Sequence, residues 1–306
     1  MFKKQVQGNS HFHKMYRYRM LYAMILPAMI TTFIFCYIPM YGVFIAFKDY
    51  STRLGIWGSK WVGLKHFKQF VEYPYFGRIV WNSLKINFIS LLTFPCPIIF
   101  AIMLNELRSE KFKKICQTIT YAPYFVSVVL VASITMLFVG SDGPFNVFLG
   151  FLGIEKRDWM GSEAAFPWIY VISDLWSTLG WNSIIYIAAL SGVSPELIEA
   201  AKIDRAGRLR VIWHICLPHL KPTAVLLLIM RMGSMLSVGF EKALLLQNDL
   251  NKGASSVIAT YTYEIGIEFQ QFSYSTAIGL FNCIVSIVLV LLANIVAKKL
   301  GEEGLF

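Results

Sequence analysis

The side chains best suited to chemistry in this chain stand where charge is scarce. Asp174, Trp176, Trp181 and Asn182 cluster in an apolar run, 164–195, that holds one charge, and Arg231 is the one charge in the run 222–240. An ionisable group in a membrane-length apolar segment costs about 2.5–3.5 kcal/mol on insertion scales, so it must face a protein interior or a watery cavity. Aromatic faces combined with side-chain hydrogen bonds hold sugar rings, and an Asp, Trp and Asn set supplies both. The structural alternative is an Asp174–Arg231 ion pair with the tryptophans at a membrane interface. Arg231 needs a partner, and Asp174 and Glu241 are the acids expected to provide it.

No ordered catalytic motif accompanies these residues. The chain has no phosphate-binding loop of the G-x-x-x-x-G-K type, no H-E-x-x-H and no nucleophile elbow. Its five cysteines fall in apolar or basic-flanked segments without C-x-x-C spacing, which argues against a disulfide framework or a metal site. The expectation is a chain that is not an enzyme and carries no cofactor or metal of its own.

The elements that must position the polar residues are membrane helices. Hydrophobic residues make up 56% of the 306 residues and charged residues 15%. Charge is absent between Arg19 and Lys48, Lys85 and Glu106, Lys114 and Asp142, and Glu268 and Lys298. Each gap meets the ~20 residues a helix needs to cross the hydrocarbon core. The fold class expected is an all-α integral membrane protein with six transmembrane helices, near 21–47, 81–105, 115–139, 166–190, 222–246 and 273–296. Residues 1–20 form a basic cytoplasmic tail, in which His11 and His13 are incidental, and 21–306 form a single domain. The net charge of +10 comes from Lys and Arg flanking the spans, so it reads as orientation rather than nucleic-acid binding. The bias places both termini and the 191–221 segment inside.

That segment is the other informative stretch. Ser194 can cap a helix, Pro195 suits its first turn and Glu196 complements its dipole. From Leu197, helical spacing puts Ala200, Ala201 and Asp204 on one stripe of mostly small side chains, open to close approach by another surface. Gly207 is the expected stop, and Pro218 and Pro222 bracket re-entry into the next span.

Glu199-Ala200-Ala201, then Asp204 and Gly207, then Leu217-Pro218, resemble the EAA loop of ABC-importer permeases. The family's usual form has Gly directly after the Asp, where this chain has Arg205. Trp61-Val62-Gly63-Leu64 with Phe67, Asn82-Ser83, Tyr121-Ala122-Pro123 and Gly143-Pro144-Phe145-Asn146 also look like segments of the binding-protein-dependent, maltose-permease-like sugar family. The stretches from Val238 to Glu241 and from Ser273 to Leu280, through to Lys299, look like its branch for complex or acidic oligosaccharides. The resemblance implies a coupling helix between helices 4 and 5, docking on an ATPase through Glu199, Ala200, Ala201, Asp204, Gly207, Leu217 and Pro218. It also implies a second homologous permease, two ATP-binding subunits that hold the Mg-ATP, an extracytoplasmic solute-binding lipoprotein and an oligosaccharide substrate, in a bacterial cytoplasmic membrane. The first outside loop's aromatics would meet the binding protein or form an interfacial belt. Asp174, Trp176, Trp181, Asn182, Arg231 and Glu241 are the candidates for the substrate pathway. The alternative is an ion-coupled secondary transporter or channel with Asp174 and Arg231 as a relay; six helices without a visible inverted repeat speak against it.

Overall fold

The structure, a computed structural model, describes residues 18–299 and 301. His11, His13 and all but the last three residues of the expected tail lie outside them. The first helix, α1 (Arg19–Phe47), begins two residues earlier than expected. It changes to a π turn at Phe33–Tyr37 and to 3-10 geometry over Ile38–Phe47. Pro39 sits where that change occurs; it lacks an N–H and its ring collides with the carbonyl four residues back. None of the residues from Arg19 to Tyr37 is buried.

A two-stranded hairpin follows, β1 (Lys48–Asp49) with β2 (Lys60–Trp61), pairing Lys48 with Trp61 and Asp49 with Lys60. Beyond it, α2 (Lys65–Val71) folds back onto the bundle. Phe70 is buried with Ile79, Tyr261, Tyr274 and Ile278, and Tyr73 and Phe76 pack against them. The loop's aromatics therefore divide, because Trp57, Trp61 and Tyr75 point outward.

α3 (Phe76–Asn105) breaks at Thr93–Phe94, just before Pro95, into two helical segments. Its inner stripe is polar: Asn82, Ser83, Asn87 and Ser90 are all buried. Buried polar groups need partners. Asn82 Nδ2 donates to the carbonyls of Gly253 (2.8 Å) and Ser256 (3.0 Å), and Ser83 Oγ accepts from Ile258 N at 3.0 Å.

The third expected span is interrupted. α4 (Glu110–Tyr121) is an amphipathic helix capped by Ser109. Pro123 then leads through a 3-10 turn to extended Val126, and Ser127 caps a fresh helix, α5 (Val128–Val139), by accepting from Leu130 N. With α6 (Pro144–Phe151), α5 makes one candidate span, Val128–Phe151. Asn146, wholly buried, ties this turn together. It donates to the carbonyls of Gly140 and Arg157 at 2.9 Å and accepts from Trp159 Nε1 at 2.9 Å.

α7 (Phe166–Leu190) is the central helix. The middle of its buried face is small, with Ser173, Ser177, Gly180 and Ser183 between Tyr170 and Tyr186, the composition that lets membrane helices approach closely. A Cβ on Gly180 would run into the backbone carbonyl of Thr120 on α4. α8 (Pro195–Ile203) leaves α7 at 75°.

The fifth expected span is displaced toward the N-terminus. The helix is α9 (Arg208–Gly233), with a π turn at Ile212–Cys216, and Pro218 and Pro222 lie inside it rather than before it. It stops at Gly233, and the chain turns through 234–239, where Ser234, Ser237 and Gly239 alternate with the buried Met235, Leu236 and Val238, into α10 (Phe240–Leu246). α11 (Ile258–Tyr263) and the long α12 (Phe272–Lys299) complete the bundle. Among the described residues five helices are long and apolar enough to cross a membrane, or six if the bent pair of α7 and α8 is one span.

Candidate functional site

The broken α3, the central α7 and α9 line a half-open cavity of about 330 Å³. Four of the six expected pathway residues line it: Asp174, Trp181, Asn182 and Arg231. Helical spacing is the cause, since 174, 178, 181, 182 and 185 share one face of α7. Ser90, Thr93, Thr178 and Tyr186 add hydroxyls that sequence reasoning passed over. Trp181 stacks on Tyr124 with ring centroids 4.3 Å apart and planes 2° from parallel, which fixes one aromatic wall.

The other two expected residues lie elsewhere. Trp176, two positions and so about 200° around the helix from Asp174, lines a separate apolar pocket of about 830 Å³ with Phe138, Trp159 and Trp168. Glu241 is exposed in the first turn of α10 and lines neither.

The expected partners of Arg231 are corrected by the geometry. Asp174 pairs instead with Lys242, whose Nζ lies 3.4 Å from Asp174 Oδ1, donates to the Tyr170 carbonyl at 3.1 Å and sits 4.8 Å from the centre of the Tyr170 ring. The turn at 234–239 brings Lys242 there, and Tyr170 Oη closes it by donating to the Gly239 carbonyl. Arg231 donates to the hydroxyl of Ser90. The signal for Lys242 was its position: a lysine that helical continuity would leave in an apolar span must find an acid.

At the other end of α7 the chain makes a braced elbow. Val193 is buried with Tyr186, Leu190, Cys216 and Leu220, Ile198 packs against them, and His219 Nε2 lies 3.1 Å from the Ala189 carbonyl oxygen. Ser194 caps α8, accepting from Glu196 N at 3.2 Å. Glu199, Ala200 and Asp204 are exposed and Ala201 is half-buried. The stop is not Gly207. Arg205 takes the left-handed conformation, φ 54°, with Arg205 N bonded to the Lys202 carbonyl and Ala206 N to that of Ala201. This is a Schellman ending whose left-handed position usually holds glycine. Gly207 is extended and starts α9, accepting from Arg210 N at 2.9 Å. Leu217 and Pro218 lie one helical stretch further on, within α9.

A helical bundle with membrane-length spans, a polar cavity between them and a short exposed helix bent off the central span defines a membrane transport component. The chain belongs to the family described as binding-protein-dependent transport system inner membrane components, which matches residues 94–302. It is 45% identical over 295 residues to the polygalacturonan/rhamnogalacturonan transport system permease protein YteP of Bacillus subtilis, covering 96% of this chain and 92% of that protein. It is 42% identical over 302 residues to Protein LplB of the same organism, covering 98% and 95%. Among solved structures, a chain from the crystal structure of a bacterial alginate ABC transporter in complex with an alginate pentasaccharide-bound periplasmic protein superposes with a TM-score of 0.86. The two are 36% identical, over 96% of this chain and 99% of that one. The family is one of transport components, not of catalysts.

Proposed function

We propose that the chain is one transmembrane subunit of an ATP-driven, binding-protein-dependent importer of oligosaccharides, acidic and complex glycans included. It forms half of the translocation pathway in a bacterial cytoplasmic membrane, with six spans, both termini inside and residues 21–306 acting as one domain. Its partners are a second homologous permease, two ATP-binding subunits that carry the Mg-ATP, and an extracytoplasmic solute-binding lipoprotein. The likeness to the alginate transporter chain supports the binding protein and the sugar.

The observation that carries this reading is the elbow. α8 stands off α7 at 75° with its Glu199, Ala200 and Asp204 edge uncovered, an arrangement suited to docking in a cleft of another protein. Ala200 and Ala201 permit close approach, Glu199 supplies a polar anchor, and Asp204 with Gly207 frames the turn. Movement of the ATPases would pass through the elbow to α7 and exchange inward-open for outward-open forms around the cavity. An ion relay from Asp174 to Arg231 loses its main support, because Asp174 is paired with Lys242.

Purification of the tagged chain from its host, with mass spectrometry of what accompanies it, tests the assignment. An ATPase and a second permease are expected in near-equal amounts to this chain. Recovery of a stable chain alone, active without ATP, would overturn it in favour of a secondary carrier.

A further inference from the structure

The two cations beside the cavity are held in different ways. Lys242 is buried, 8% exposed, and neutralised by Asp174, the arrangement expected of a structural charge in an apolar bundle. Arg231 lines the cavity itself, and its polar partner is a neutral hydroxyl, Ser90. Among the described residues no carboxylate ion-pairs with it. With Asp174 and Lys242 cancelling, the cavity keeps one positive charge. A guanidinium has five N–H donors in a planar fork matched to a carboxylate. A pathway for neutral sugars gains nothing from an uncompensated cation at membrane depth, where its desolvation is costly.

We propose that Arg231 is the carboxylate-recognising residue of this cavity, selecting sugars that carry an acid group. Ser90 holds the guanidinium in place from α3. The sugar ring lies against Trp181, itself fixed by Tyr124, and Thr178 and Asn182 serve the hydroxyls. The substrate class is a uronate oligosaccharide. This rests on the oligosaccharide-importer reading above, narrows its cargo to the acid-bearing class and adds the residue that reads the acid.

The test uses the whole importer purified from its host, with Ile185→Cys, a lining residue given no part in holding the sugar, as a reporter in the cavity. Labelling by a sulfonated and by a trimethylammonium methanethiosulfonate is compared, each rate normalised to that reagent's rate with a free thiol and corrected for the native cysteines. The anionic reagent is expected to be favoured, and Arg231→Gln to reduce that preference by about tenfold, the size of one charge-assisted contact. Trigalacturonate should slow the labelling, and maltotriose at the same concentration should not. An anionic-to-cationic ratio of one or less with Arg231 in place would overturn the proposal, whether or not the Gln variant assembles. So would an unchanged ratio in that variant, or equal protection by the two sugars. Labelling needs no transport, so the two readings fail separately. If wild-type vesicles with binding protein and ATP accumulate no oligosaccharide, the importer reading falls on its own evidence.

Discussion

Lys242 approaches Asp174 from a different element, across a turn that interrupts what would otherwise be a continuous span, with 3.4 Å between Nζ and Oδ1. The lysine is 8% exposed and the aspartate 36%, opening onto the cavity. Removing the acid strands a buried cation. Asp174→Asn is expected to destabilise the chain by about 2–3 kcal/mol, below the range for a fully buried pair because the carboxylate is partly screened. Adding Lys242→Met should restore most of that loss. Thermal unfolding of the detergent-purified complex measures both, and a double variant no better than the single one would refute the pairing.

Gly180 offers a steric test. With the Thr120 carbonyl already against its Cα, any side chain must push α4 off α7. Gly180→Leu is expected to cost about 1–3 kcal/mol, as overpacking does. A melting temperature within a degree of wild type would show that the two helices separate freely.

At the end of α8, Arg205 holds φ 54°, a conformation about 1–2 kcal/mol unfavourable for a residue with a Cβ. Arg205→Gly relieves it, and the added freedom of the unfolded chain returns part of the gain. A net stabilisation of about 0.5–1 kcal/mol is expected, read as slower amide exchange over 195–206. Faster exchange would mean that the arginine side chain holds the turn.

Ala201→Glu puts bulk and charge on the face through which α8 is proposed to dock. Loss of about 2 kcal/mol or more of docking free energy is expected, seen as loss of sugar uptake with normal expression and membrane insertion. Normal uptake in a well-expressed variant would remove Ala201 from the interface.

Outside the spans, Asp49 accepts from Lys65 Nζ at 2.9 Å, and that bond with the ammonium charge holds its carboxyl below the usual carboxylate range; His66 Nε2, 3.1 Å away, adds to the effect. The sign follows from the lowered value. The contribution is complete above about pH 4, the unfolded pKa, and is lost as pH falls through the lower folded value. The hairpin at 48–61 should therefore keep its amide protection from pH 7 to 5 and lose it only in stronger acid. Lys65→Met should move that loss upward in pH.

Part of the cavity was legible because several of its polar and aromatic residues fall in one apolar run, which folds as one uninterrupted helix. Asp174, Trp181 and Asn182 needed no knowledge of tertiary structure to be grouped. Trp176 was grouped with them by proximity in sequence, and the 3.6-residue turn sends it to the opposite face. Lys242 was hidden for a different reason. Its placement depends on the chain leaving the helix at Gly233, where no proline marks the exit and glycine and serine are themselves common in membrane helices. The start of α8 was readable in Ser194-Pro195-Glu196. Its end was not, because a left-handed arginine leaves no mark in the sequence, and Gly207 drew the assignment two residues too far.

The elbow between α7 and α8 has a mechanical meaning. At 1.5 Å per residue the nine residues of α8 make an arm about 13 Å long, and the 25 residues of α7 one of about 37 Å. The contacts of Val193, Ile198 and His219 lock the angle between them. Turned as one rigid crank about that corner, the short arm need move its tip by only about 2 Å for the far end of the long arm to swing by 5–6 Å, roughly a threefold gain in stroke set by the two helix lengths.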